Sequence, residues 1–230
     1  MSVSALLFGA IGTLAETTEL QRRAYNRAFA DADLDWVWDR DSYRKLLLRP
    51  GGRARIETYA RDAGDPVDAA TLHDAKIRHF EALIASEGLA PRDGVVEMIA
   101  HCRSESIAVG LATTTDRRQV DAILRALAPE VRAGDFDWIG DRSMVEHPKP
   151  SPDIYRRALG DLGVDADHAL AIEDTPESAE AAIEAGLDII GFPGAAAAER
   201  PFQPSVLIVE TLRPRLLVMG RASGRKLAAQ

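Results

Sequence analysis

Thr113, Lys149 and the adjacent pair Glu173-Asp174 are a hydroxyl, a cation and two acids, each standing just past a short apolar run or in a rigid loop. Such a set suits a phosphoryl group. The cation neutralises its oxygens, the hydroxyl and nearby backbone N–H groups cradle them, and the acids hold a metal ion. Thr113 closes the run Ile107–Ala112 and precedes a helical stretch whose N-terminus attracts anions. Thr113–Thr115 would equally serve as cap and turn residues. Lys149 lies in His147-Pro148-Lys149-Pro150-Ser151-Pro152, where flanking prolines restrict it, though a solvated lysine is the plain alternative. Thr175-Pro176 follows Glu173-Asp174, so the two acids also read as the lead-in to a helix. Phosphoryl transfer through an aspartate needs more: a carboxylate that attacks phosphorus, and an acid that protonates the leaving oxygen and then activates water.

The elements that must position these residues follow from the apolar pattern. Ser4–Phe8, Ile107–Ala112, Ala169–Ile172 and Leu187–Gly191 are short, nearly continuous apolar runs bounded by turn residues, which predicts buried parallel strands. Asp137–Ile139 and Ser205–Val209 are shorter candidates. Arg92–Ser104, Arg117–Leu127, Pro152–Leu162 and Pro176–Ala185 carry helical periodicity between them. The alternation predicts an α/β fold with a doubly wound parallel sheet, whose chemistry collects at the carboxyl ends of the strands. Residues 17–86 differ, with helical stretches at Leu20–Ala30, Ser42–Leu48, Ala54–Ala63 and Ala69–Ala85, punctuated by Gly51-Gly52 and Gly64–Pro66. They read as an all-helical insertion after the first strand. The expected division is a core of 1–16 and 87–230 and a cap of 17–86. Ala195–Ala198 reads as a helix start or a loop.

Composition narrows the class. The 230 residues are 46% hydrophobic with a net charge of −8, which favours a packed core and argues against nucleic-acid binding. Arg213, Arg215, Arg221, Arg225 and Lys226 read as a frayed basic tail. Cys102 stands alone, so no internal disulfide forms, and it reads as a small buried residue. No positive region precedes Arg22 and no apolar run reaches membrane-span length, so the expected location is cytoplasmic, without membrane contact. The five histidines show no metal-ligand spacing and read as structural or exposed. Trp36 and Trp38 either line a pocket or partner surface, or form a core with one ring partly exposed.

Taken in order, the motifs resemble those of the haloacid dehalogenase-like (HAD) phosphatase superfamily, in the branch with beta-phosphoglucomutase and the CbbY-like sugar-bisphosphate phosphatases. The resemblance covers nearly the whole chain. Ile11-Gly12-Thr13-Leu14-Ala15-Glu16-Thr17 resembles the segment after the family nucleophile. Ala112-Thr113-Thr114-Thr115, Lys149-Pro150-Ser151-Pro152-Asp153-Ile154-Tyr155 and Ile172-Glu173-Asp174-Thr175 resemble the second, third and fourth motifs. Tyr43–Leu48 with Gly51-Gly52-Arg53-Ala54-Arg55-Ile56 resembles the CbbY-like cap. The resemblance implies a HAD-type Rossmann-like core, a cap between the first and second motifs, phosphate binding by Thr113 and Lys149, and Mg²⁺ held by Glu173, Asp174 and the backbone carbonyl of Ile11.

The same resemblance exposes two gaps. The family's first motif is Asp-x-Asp-Gly-Thr. Here Gly9 stands at the nucleophile and Ile11 at the acid/base, with Gly12, Thr13 and Leu14 fixing the register. The family pattern also suggests glutamate at Thr18, histidine at Gln21 and lysine at Arg53, which places Gln21 and Arg53 among the expected cap contacts to substrate. Glu16, at the entrance to the cap, joins them as an expected cap/substrate residue and is also the candidate substitute carboxylate. With two acids gone, Lys149 is expected to pair directly with Glu173 or Asp174, Mg²⁺ to bind weakly, and a phosphate anion to be tolerated without metal.

Three functions follow as expectations: a phosphatase homologue that binds a phosphorylated sugar or similar anion without turnover, an active Mg²⁺-dependent hydrolase with another nucleophile, or a protein-interaction module with an unspecified partner. A dinucleotide turn at Gly9–Gly12 lacks the Gly-x-Gly-x-x-Gly spacing.

Overall fold

The computed structural model describes residues 3–9, 11–48 and 51–218. Arg221, Arg225 and Lys226 of the basic tail lie outside the described residues. Two compact units form: one from the segments up to Glu16 and from Leu89 onward, the other from Thr17–Gly88.

The first unit holds a six-stranded parallel sheet: β1 (Ala5–Phe8), β2 (Ala108–Leu111), β3 (Trp138–Ile139), β4 (Ala169–Glu173), β5 (Asp188–Gly191) and β6 (Leu207–Ile208). The spatial order is β3-β2-β1-β4-β5-β6. Every residue of β1 and β4 is buried, as their unbroken apolar sequences require of strands covered on both faces. Phe8 is in register with Leu111 on one side and Ile172 on the other, so the residues following β1, β2 and β4 reach one edge together. The sheet grows outward to one side of β1 through β2 and β3 and to the other side from β4 onward, so the order reverses between β1 and β4. Open α/β sheets bind ligands at such a switch point.

The helices connecting these strands are α6 (Val95–Ser104), α7 (Arg117–Leu127), α8 (Asp153–Leu162) and α9 (Pro176–Glu184), with the short α1 (Ile11–Leu14) directly after β1. Local chemistry sets their ends. The Asp116 carboxylate accepts from Arg118 N at the start of α7, and Gly163 takes the left-handed conformation that closes α8. Buried Ile154, Tyr155, Ala158 and Leu159 turn one face of α8 into the sheet's core. Ala195–Ala198 lies in a turn-rich loop, not a helix.

The second unit is helical: α2 (Thr18–Asp31), α3 (Arg40–Leu46), α4 (Gly52–Ala63) and α5 (Ala69–Glu87). Helix α5 runs two residues past Ala85 because no breaker precedes Gly88. Its interior is aromatic. Trp38 lies 4.7 Å, centroid to centroid, from both Tyr25 and Phe29, and Trp36 donates its indole N–H to Asp65 at 2.7 Å. Both tryptophans are buried, so neither presents the partly exposed ring or partner surface that the sequence left open. Among the described residues, no helix is long and apolar enough to cross a membrane.

Candidate active site

Gly9 emerges from β1 at the switch point. Its N–H donates to the Ile172 carbonyl of β4 at 2.8 Å, which fixes its backbone beside the end of that strand. Its carbonyl accepts from the Lys149 ammonium. Lys149 arrives on the proline-bounded loop before α8, and its peptide bond to Pro150 is cis. The ammonium also donates to Glu173 Oε1 at 2.5 Å and to the Tyr155 hydroxyl at 3.1 Å, and Tyr155 in turn donates to the same Glu173 oxygen. Lys149, Tyr155 and Glu173 are all buried. The expected pairing of Lys149 with an acid is therefore present, and Glu173 is the partner.

This cluster fills the space that a side chain on residue 9 would need. A Cβ built on Gly9 would overlap Glu173 Oε1 and the Tyr155 hydroxyl, and one built on Gly12 would overlap Asp174 Oδ2. A side chain at either position would force these side chains to shift.

Electrostatics follow from burial. Desolvation draws the Lys149 ammonium below the usual lysine range, and the charge of Glu173 works against it. Burial lifts the Tyr155 phenol well above its ordinary value, with the neighbouring Glu173 adding to the effect. Asp174 is pushed up to about 7, chiefly by burial and then by Glu173, while Lys149 and Arg92 pull the other way. Glu173 Oε2 and Asp174 Oδ1 are buried without a hydrogen-bond partner.

Those two oxygens are the acidic groups here that a cation could still reach. Mg²⁺ favours a near-octahedral set of oxygens. Here one oxygen of Glu173 is committed to Lys149 and Tyr155, and the Ile11 carbonyl already accepts from Ala15 N at 3.0 Å. Among the described residues no group of three or more His, Cys, Asp or Glu side chains could hold a metal. The residues present do not complete a Mg²⁺ site.

The other expected site residues separate into two groups. Thr113 lies past β2 at the same sheet edge, buried, its hydroxyl bonded to Thr115 Oγ1 at 2.9 Å and accepting from Thr115 N at 3.1 Å. Ile11 is buried in α1, an apolar side chain where proton transfer would need an acid. Glu16, the candidate substitute nucleophile, is anchored elsewhere: its carboxylate accepts from Ala195 N at 2.7 Å. In the helical unit, Arg53 is exposed and pairs with Glu57 at 2.9 Å, and Gln21 lies in the first turns of α2. His79 and His147 pair with Asp31 and Asp153.

Two residues had no role assigned from the sequence. Tyr155 ends the third motif but sits in a helical apolar stripe and so looks like core. Arg92 opens the expected stretch Arg92–Ser104, yet α6 begins only at Val95, leaving Arg92 ahead of the helix. Its guanidinium donates to the carbonyls of Gly12 at 2.7 Å, Phe192 at 2.8 Å and Pro193 at 2.7 Å, and lies 3.4 Å from the Phe192 ring centroid. It straps the turn after β1 to the loop after β5.

Comparison with known proteins agrees with this fold. The family model for haloacid dehalogenase-like hydrolases matches residues 3–186. Protein CbbY of Cereibacter sphaeroides is 44% identical over 195 residues, covering 84% of this chain and 85% of the relative. Protein CbbY of Rhodobacter capsulatus is 38% identical over 83% of this chain and 85% of its own length. Among solved structures, CbbY from Rhodobacter sphaeroides in complex with phosphate superposes with a TM-score of 0.84 at 39% identity, covering 91% of this chain and 94% of that one. A mutant of the same protein was solved in complex with xylulose-(1,5)bisphosphate, at the same TM-score and identity. With its sheet order, its motif order and these matches in agreement, the chain belongs to the haloacid dehalogenase-like hydrolase family.

Proposed function

We propose that this protein is a CbbY-like phosphatase homologue that binds a phosphorylated sugar or similar anion and does not hydrolyse it through an aspartyl-phosphate. The observation that carries the reading is at residue 9. Glycine offers no nucleophile, and the volume of a side chain there is taken by Tyr155 and Glu173. Ile11 supplies no proton at the second position. Glu16 is tied to the backbone of Ala195 and is not free to substitute.

Loss of the acid/base alone removes on the order of 10²–10⁴-fold in rate. Losing it together with the nucleophile removes the covalent route, and the two losses do not add because the groups act as one unit. The ligand class is taken from relatives, one of which holds a sugar bisphosphate in its solved complex. The residues bet on for its phosphoryl oxygens are Thr113, Lys149 and the backbone N–H groups beside them. Mg²⁺ binding is expected to be weak. The core with an inserted helical cap, Gln21 and Arg53 at the cap's contact with substrate, and a cytoplasmic location belong to the same proposal.

The test is phosphate release from a panel of sugar phosphates and bisphosphates with excess Mg²⁺, run for wild type and for Gly9→Asp/Ile11→Asp, beside ligand-induced thermal shifts for wild type. A silent wild type that is stabilised by one of these ligands supports the proposal. Wild-type turnover abolished by Asp174→Asn overturns it.

A further inference from the structure

Lys149 is the cation on which the phosphate-binding reading depends, and every donor it has is already used. An ammonium carries three N–H groups. The three partners here are the Gly9 carbonyl, the Tyr155 hydroxyl and Glu173 Oε1. We propose that Tyr155 is an internal latch on Lys149: it holds the ammonium turned inward and thereby sets the anion affinity of the site.

The hydroxyl is the pivot of the cluster. It accepts from Lys149 and donates to Glu173, so it keeps the two charged groups in a fixed relation. The Tyr155 ring lies under the ammonium, with Nζ 4.5 Å from its centroid, a cation–π arrangement that adds to the hold. The latch also depends on glycine at residue 9. Any Cβ there would overlap the hydroxyl, so a side chain on residue 9 and the closed latch exclude each other. Loss of the nucleophile and closure over Lys149 are therefore one structural change. A phosphoryl group that recruits Lys149 must first take a donor from the Gly9 carbonyl, Tyr155 or Glu173. Of these, Tyr155 is the neutral side chain and the least costly to give up.

This inference rests on the proposal that the site binds phosphate, and its test separates the two. Phenylalanine at 155 keeps the ring and removes only the hydroxyl. Wild type, Tyr155→Phe and Tyr155→Phe/Lys149→Met are titrated calorimetrically with inorganic phosphate. In parallel, acetylation of Lys149 by acetic anhydride is timed by peptide mass spectrometry, with exposed Lys45 as internal reference. The expected result is a phosphate Kd about tenfold lower in Tyr155→Phe, the size of one charge-assisted hydrogen bond. The gain disappears in the double variant, and Lys149 acetylates severalfold faster relative to Lys45.

Phosphate binding of equal or lower affinity in Tyr155→Phe, or unchanged Lys149 acetylation, overturns the latch and leaves the binding proposal standing. Faster acetylation with no phosphate binding by any of the three proteins removes the binding proposal and overturns the latch as a control on anion affinity, leaving only the hold of Tyr155 on Lys149. If Tyr155→Phe does not fold, Tyr155→Met, which also lacks the hydroxyl, carries the same comparison.

Discussion

Replacing Gly9 by alanine adds one methyl group where Glu173 and Tyr155 already stand. The backbone cannot move away, because the Gly9 N–H is bonded to Ile172 and its carbonyl to Lys149. The methyl group therefore has to displace Glu173 Oε1 and the Tyr155 hydroxyl. Overpacking of this kind costs about 1–3 kcal/mol. Breaking a buried hydrogen bond to a charged group adds about 1.5–3 kcal/mol. The expected destabilisation is about 3–5 kcal/mol, which for a chain of this size lowers Tm on the order of 10 °C. Tyr155→Phe removes one of the two obstacles. In Gly9→Ala/Tyr155→Phe the methyl group then displaces Glu173 alone, and the double variant should be more stable than the sum of the singles by about 1–3 kcal/mol. Urea unfolding followed by circular dichroism gives the four stabilities of the cycle. Strictly additive costs, or a Gly9→Ala protein within about 0.5 kcal/mol of wild type, would refute the packing argument.

Arg92→Met strips donors from three carbonyls and should cost about 2–4 kcal/mol in urea unfolding, while Arg92→Lys recovers only part because an ammonium lacks the planar fork. Lys76 is buried in α5, with Nζ 5.0 Å from the Tyr25 ring centroid, and burial followed by repulsion from Arg55 pushes it down to about 7. The folded protein thus holds this proton more weakly than the unfolded chain, whose lysine keeps its ordinary 10.5, so unfolding takes up a proton between those values. Stability should rise with pH from about 7 to about 10 on this account, and Lys76→Met should flatten that slope and be the more stable protein at pH 6. Millimolar Mg²⁺ should leave the wild-type Tm unchanged within about 1 °C, because a ligand well below its Kd contributes no linkage stabilisation. Gly9→Asp/Ile11→Asp should instead gain a Mg²⁺-dependent shift, read by differential scanning fluorimetry.

The sequence alone determined the elements and their order. The four apolar runs became β1, β2, β4 and β5, and the helices α2–α9 fall within a few residues of their periodic stretches, because strands buried on both faces and helices with one apolar stripe leave patterns that local composition cannot hide. It also placed Gly9 and Ile11 directly before Gly12-Thr13-Leu14, the register on which the proposed loss of turnover rests. It foretold that Lys149 would meet an acid. What it could not supply was the choice of Glu173, the part played by Tyr155, or the strap made by Arg92. Those partners lie 24, 18 and 80 residues apart along the chain, and a buried tyrosine in a helical stripe has the same sequence signature whether its hydroxyl is idle or grips an ammonium. Their meeting is decided by the parallel order of the sheet, which brings the ends of β1 and β4 side by side, and by the volume that one glycine leaves empty for a phenol from α8 to fill.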